Sequence, residues 1–214
     1  MNELKNHTEM PKIDKTDNLR EIKPDKPLSQ NELRSKVEGS FAEAKLKKEY
    51  NHENCMFSSK ERLERTPTNG KWSGVEGNSV FSPDREDAKE ILKEKGLDGI
   101  RYIDSEPVFN KVAEATVKID GMTDKCSINF SKADTKLAEQ WNQEAKDNKT
   151  DWKSRDVRNY REDQKLTWHE RCDTKTMDLV PTPIHEVCTH IGGRAECRRR
   201  EEENGGKTGE KFDA

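Results

Sequence analysis

The sequence predicts an α+β protein in three parts: a disordered N-terminal leader, a small α+β middle module, and a C-terminal β-hairpin followed by a helix. Three observations carry that prediction. Charged residues make up 39% of the chain against 29% hydrophobic, and the apolar residues gather after Trp72, so one large packed domain is excluded. Four short segments, GIRYI, ATVKI, LTWHE and TMDLV, alternate with period two between turn residues, as half-buried strands do. The segment DREDAKEILKEK places Ala88, Ile91, Leu92 and Lys95 at helical spacing.

Residues 1–60 read as a flexible leader in which only the stretch from Leu33 to Tyr50, with Val37, Phe41 and Leu46, supports an amphipathic helix. Residues 61–148 form the middle module. Its loops, TPTNGKWSGVEGNSVFSP, are rich in Gly, Ser, Asn and Pro. Ser82 and Pro83 are then expected to cap and open a helix that stops at Gly96. Strands follow at Gly99–Ile103 and Ala115–Ile119, and a helix from Ser131 carries Ala133, Leu137, Ala138 and Trp141. Residues 149–203 form the last module, with a helix capped by Ser154, the hairpin 166–170 and 176–180, and a helix IHEVCTH opened by Thr182-Pro183 and ended by Gly192-Gly193. Trp168 and Met177 are expected to pack the hairpin onto that helix, Asp173 to make the turn, and Asp178 to lie on the surface. Residues 204–214 are expected to be a flexible tail.

The formal net charge is −3, so whole-chain electrostatics steer no partner. No apolar run approaches the ~18 residues of a membrane span, and the first residues have no signal-peptide core. The five cysteines are odd in number, scattered and without a Cys-x-x-Cys pair, which predicts reduced thiols and folding in a cytoplasm.

Three of the five histidines, His169, His185 and His190, fall within a 22-residue window on the hairpin and the helix. Converging imidazoles suit a divalent transition metal. A rival grouping is a structural zinc knot that adds Cys172, Cys188 and Cys197. The spacing sets a condition, because residues five apart lie about 140° around an ideal helix. His185 and His190 can reach one ion only if one of them sits at an irregular helix end.

The stretch LTWHERCDTKTMDLVPTPIHEVCTHIGG resembles the Trp-His-His branch of the HNH/endonuclease VII nucleases found as toxin tips of bacterial polymorphic toxins. Trp168-His169, Thr176-Met177-Asp178-Leu179-Val180-Pro181, His185 and His190-Ile191-Gly192-Gly193 match that pattern, whereas Glu170 stands where the family has its second histidine. The likeness covers roughly residues 61 to 200 and is chemically specific over 166 to 193. It implies a ββα-metal (HNH, or His-Me finger) module that hydrolyses phosphodiester bonds with one divalent ion, among which Zn, Mg, Mn and Ni are not distinguished. His169 is assigned as general base, His185 and His190 as metal ligands, and Glu170 as a third ligand or orienting carboxylate. The competing assignment makes His169 a ligand and Glu170 the base, since adjacent strand residues point to opposite faces.

Arg194, Arg198 and Arg199 are candidates for phosphate contact. The resemblance further implies an antibacterial toxin effector with DNA preferred over RNA, and a cognate immunity protein as partner. It would act in a target cell's cytoplasm after delivery by a non-classical route. The alternative from another class is a non-catalytic, zinc-stabilised binding module.

Overall fold

Two antiparallel sheets are set beside one another in the computed structural model, which describes residues 30–207. Most of the expected leader, residues 1–29, and the tail from 208 onward lie outside the described residues. The chain divides into two units, 1–42 and 43–214. Helix α1 (Gln30–Glu49) begins in the first, with Phe41 exposed on it. Everything below concerns the second unit.

Strands β1 (Gly70–Trp72), β2 (Val80–Pro83), β3 (Ile100–Ile103) and β4 (Glu106–Val108) form an antiparallel meander. β3 and β4 are joined by Asp104 and Ser105, both at positive φ, the backbone sense that matches the twist of a two-residue hairpin. Helix α2 (Ser59–Leu63) precedes the meander. Helix α3 (Glu86–Glu94) links β2 to β3, buries Ala88 and Leu92, and ends at Gly96, whose φ is +66°. The expected cap at Ser82-Pro83 is a strand end instead. Pro83 pairs with Gly70 in β1, and the Ser82 hydroxyl donates to the Asp98 carbonyl, so the helix starts three residues later.

The second sheet has the order β5-β7-β6, from β5 (Ala115–Lys118), β6 (Leu166–Glu170) and β7 (Thr176–Pro181). Helices α4 (Cys126–Gln143) and α5 (Ser154–Asp163) cover one face of it. There Leu137, Trp141 and Val157 meet Val117, Leu166, Trp168, Met177 and Leu179 in one buried cluster. On the other side Val180, Ile184 and Cys188 pack with Phe81, Tyr102 and Phe109 of the meander region. Each fully buried large apolar side chain contributes about 1.5–3 kcal/mol relative to exposure. The division expected at residue 148 therefore runs through a continuous core, because β5 pairs with β7 from Ala115↔Leu179 to Lys118↔Thr176. Helix α6 (Thr182–Val187) follows the hairpin, and α7 (Gly193–Lys207) carries the chain past the expected module end at 203.

Two ionic features differ from expectation. Asp178 is fully buried rather than on the surface, because Arg171 grips its carboxylate with two hydrogen bonds of 2.6 and 3.0 Å and Thr116 donates a third of 2.7 Å. The same guanidinium bonds Glu49 and lies over the Tyr50 ring. Residues 50 to 62, largely within the expected leader, are thus held: Tyr50 is buried, the Met56 amide donates to Glu196, and Arg62 pairs with Asp104. Asp173 makes the hairpin turn as expected, accepting from the amides of Lys175 and Thr176.

Candidate metal centre

Strand β6 sorts its side chains by parity. Leu166 and Trp168 face the α4–α5 layer, where the Trp168 indole donates to Asp134; the pleat turns His169 the other way. There His169 is fully buried, with the Phe109 ring edge-on at 4.8 Å. Helix α6, anchored by buried Ile184, presents His185. The helix stops at Val187 instead of running through His190, and Cys188 leaves helical geometry at φ −97°, ψ 65°. The irregular end that the five-residue spacing demanded is therefore present, and His190 lies in the loop beyond it.

The three imidazoles are neighbours. Ring centroids are 4.7 Å apart for His169 and His190, 5.7 Å for His169 and His185, and 6.0 Å for His185 and His190. All three are held toward the neutral form. Burial pushes His169 well below its ordinary value, with the other two histidines and Arg171 adding to the effect. Burial and His190 bring His185 to about 4, and burial lowers His190. Neutral imidazoles are the protonation state a metal needs.

The hydrogen bonding is more specific still. His190 Nδ1 lies 2.7 Å from the Cys188 carbonyl; a carbonyl only accepts, so Nδ1 carries the proton and Nε2 keeps its lone pair. Both ring nitrogens of His169 are buried without any partner. Such orphaned atoms cost about 1–3 kcal/mol each and call for a ligand. A divalent ion shared by neutral imidazoles fits that donor chemistry.

The His190 loop is fixed from several sides. The Tyr102 hydroxyl donates to the Thr189 carbonyl at 3.4 Å, and Cys172 Sγ donates to the Ile191 carbonyl at 2.8 Å. A side chain on Gly193 would lie on the Arg171 carbonyl oxygen. One on Gly192 would come within 2.8 Å of the Glu170 carbonyl oxygen and 3.0 Å of His190 Nε2. The paired glycines let the loop close onto the end of β6.

Residues 99–192 match the family model for the DNase/tRNase domain of colicin-like bacteriocins. That span is less than half of the chain. It runs from β3 to Gly192, includes all three histidines, and supports a nuclease toxin domain. No curated protein matches the chain.

Other expected site residues are placed differently. The Glu170 carboxylate follows the parity of Trp168 and accepts from Asn129 of α4 at 2.6 Å, and burial raises its pKa. Arg194 and Arg198 are exposed, Arg194 Nε donating to the Asp124 carbonyl. Arg199 is occupied by Glu61 at 2.9 Å and lies over Phe57. The mixed Cys/His knot does not assemble: Cys188 is buried in the meander core, and Cys197 Sγ donates to the Met122 carbonyl. Phe109 and Asn129, both in contact with site residues, carried no motif. Only their distance in sequence from the histidines hid them.

Proposed function

We propose that the protein is a divalent-metal-dependent nuclease of the toxin type, acting on DNA in preference to RNA, with its reaction centre at His169, His185 and His190. The fully buried His169 ring, with two unpartnered nitrogens against the other two imidazoles, is the observation that carries this. In this reading His169 joins His185 and His190 in holding the ion, because a ring with no exposure and a strongly depressed pKa is a poor base for solvent-derived protons. The ion, when bound, supplies Lewis acidity against the charge that grows on phosphate oxygens in hydrolysis.

Glu170, the last residue of β6 with its carboxylate on the Asn129 side, then takes the proton from a water that reaches the ion around the strand end. Burial strengthens it as a base, Asn129 holds its carboxylate in one orientation, and its backbone borders His190 across Gly192. Arg194 and Arg198, exposed on α7, are the phosphate contacts; Arg199 is already paired. A cognate immunity protein of acidic surface would cover this basic rim in the producing cell, and the toxin would act in a target cell's cytoplasm. No helix among the described residues is long and apolar enough to cross a membrane.

The test is digestion of plasmid, genomic DNA and total RNA with Mg²⁺, Mn²⁺ or Zn²⁺ and with chelator. Metal-dependent loss of DNA supports the proposal. Selective loss of RNA would overturn the substrate preference, and intact nucleic acid under every condition would overturn the activity.

A further inference from the structure

A second cluster of metal-ligating side chains lies outside the three-histidine centre. His52 and Cys55, on the segment between α1 and α2, and Cys172, at the end of β6, place their ligand atoms all within 4.8 Å of one another. The surroundings are electronegative. Glu106, buried at 2% exposure, lies with one carboxylate oxygen 2.5 Å from His52 Nε2 and accepts the Cys172 amide with the other. Glu196 is fully buried, accepts the neighbouring Met56 amide with one oxygen, and leaves the other without a partner.

Among the ion pairs of the described residues, Glu106 is matched by His52, which also pairs with Asp104, and Glu196 is matched by none. The nearby Arg62 is committed to Asp104, and Arg171 to Asp178 and Glu49. The His52 imidazolium answers Glu106 and Asp104, while the buried Glu196 oxygen beside the two thiols has no partner, so one added cation would meet it.

We propose that His52, Cys55 and Cys172 bind a thiophilic divalent cation of the zinc class, separate from the ion of the nuclease centre. Two sulfurs and a nitrogen select zinc over magnesium or manganese, which prefer oxygen. Tetrahedral zinc with bonds of about 2.3 Å to sulfur spaces its thiolates by roughly 3.8 Å, so the cluster needs to close by at most about an ångström. The His52 ring nitrogens now donate to Asp104 and Glu106, so on binding both thiols and the imidazolium each lose a proton to solvent, and the ring nitrogen that is freed ligates the ion. Cys172 thereby gives up the proton it now shares with the Ile191 carbonyl. Loading is therefore felt directly at the loop that holds His190. The ion would pin a segment poor in apolar side chains to the hairpin end, replacing the hydrophobic contacts it lacks.

Cobalt separates the two sites, because only a thiolate site gives the near-ultraviolet sulfur-to-cobalt charge-transfer band. The full chain, reduced and stripped with chelator, is titrated with Co²⁺ alone. A band in the wild type that persists in His185→Ala and disappears in Cys55→Ser is expected, with circular dichroism confirming that each variant is folded. In the wild type, Zn²⁺ should shield the partly exposed Cys55 from a thiol reagent. No charge-transfer band in reduced wild type, or a band unchanged in Cys55→Ser, would overturn the proposal. So would unchanged thiol reactivity with Zn²⁺. Because these readouts ignore nucleic acid, they stand whether or not the chain proves to be a nuclease.

Discussion

Replacing His169 by Leu should stabilise the metal-free protein while abolishing its activity. His169 buries two ring nitrogens that no protein atom satisfies, and an unsatisfied buried polar atom costs about 1–3 kcal/mol. Leucine has nearly the same volume and removes both, against neighbours that include Phe109 and the apolar meander core. A net gain of about 1–3 kcal/mol follows once imperfect packing is subtracted, which for a chain of this size raises Tm by roughly 2–10 °C. The assay is a thermal melt of both proteins in excess chelator, repeated with saturating divalent metal. With metal at about 100 times its Kd, the wild type gains about 2.7 kcal/mol and the order of stability narrows or reverses, while the variant responds less. A Tm that falls by several degrees in chelator would refute the reasoning, because it would mean that the two nitrogens were satisfied.

The depressed histidines should also make the metal-free protein sensitive to acid. His185 titrates at about 4 in the fold against about 6.5 when unfolded, so the folded state binds fewer protons and stability is lost as pH falls from 6.5 toward 4. Denaturant melts at pH 7.5 and 5 should show a smaller loss in His185→Gln than in the wild type, and equal losses would contradict the assignment. Gly193→Ala should destabilise by about 1–3 kcal/mol through its clash with the Arg171 carbonyl and lower cleavage although no histidine is changed. Full activity at wild-type Tm would show that the loop tolerates the added carbon. Arg194→Ala and Arg198→Ala should each reduce the salt dependence of DNA binding by about 0.9 in log–log slope, with Arg199→Ala nearly silent; an unchanged slope in the first two would remove them from the interface.

The hairpin was legible because its information is local. Period-two alternation marked 166–170 and 176–180, and β6 forms at Leu166–Glu170. The three-histidine convergence was likewise foreseeable from spacing, and the helix break that it required is found after Val187. What escaped is non-local. Ala115–Lys118 reads as a strand, yet nothing near it says that its partner is β7, some sixty residues away, so a domain boundary was expected where the core is continuous. Residues 50 to 62 looked unstructured because composition counts apolar side chains, whereas this segment is held by Arg62–Asp104, His52–Glu106 and Met56–Glu196 contacts. Asp178 looked like surface because its partner Arg171 sits on the adjacent strand's end, a pairing fixed only by register.

The most direct test pairs plasmid cleavage with elemental analysis for His169→Ala and Glu170→Gln, using wild-type protein as reference. If His169, His185 and His190 hold the ion while Glu170 accepts the proton, His169→Ala loses both the bound ion of the nuclease centre and cleavage. Glu170→Gln then keeps that ion and falls by about 10²–10⁴-fold in rate. The contrary pattern, with His169→Ala retaining its full metal content but inactive and Glu170→Gln fully active, would return His169 to the role of base and contradict the three-histidine centre.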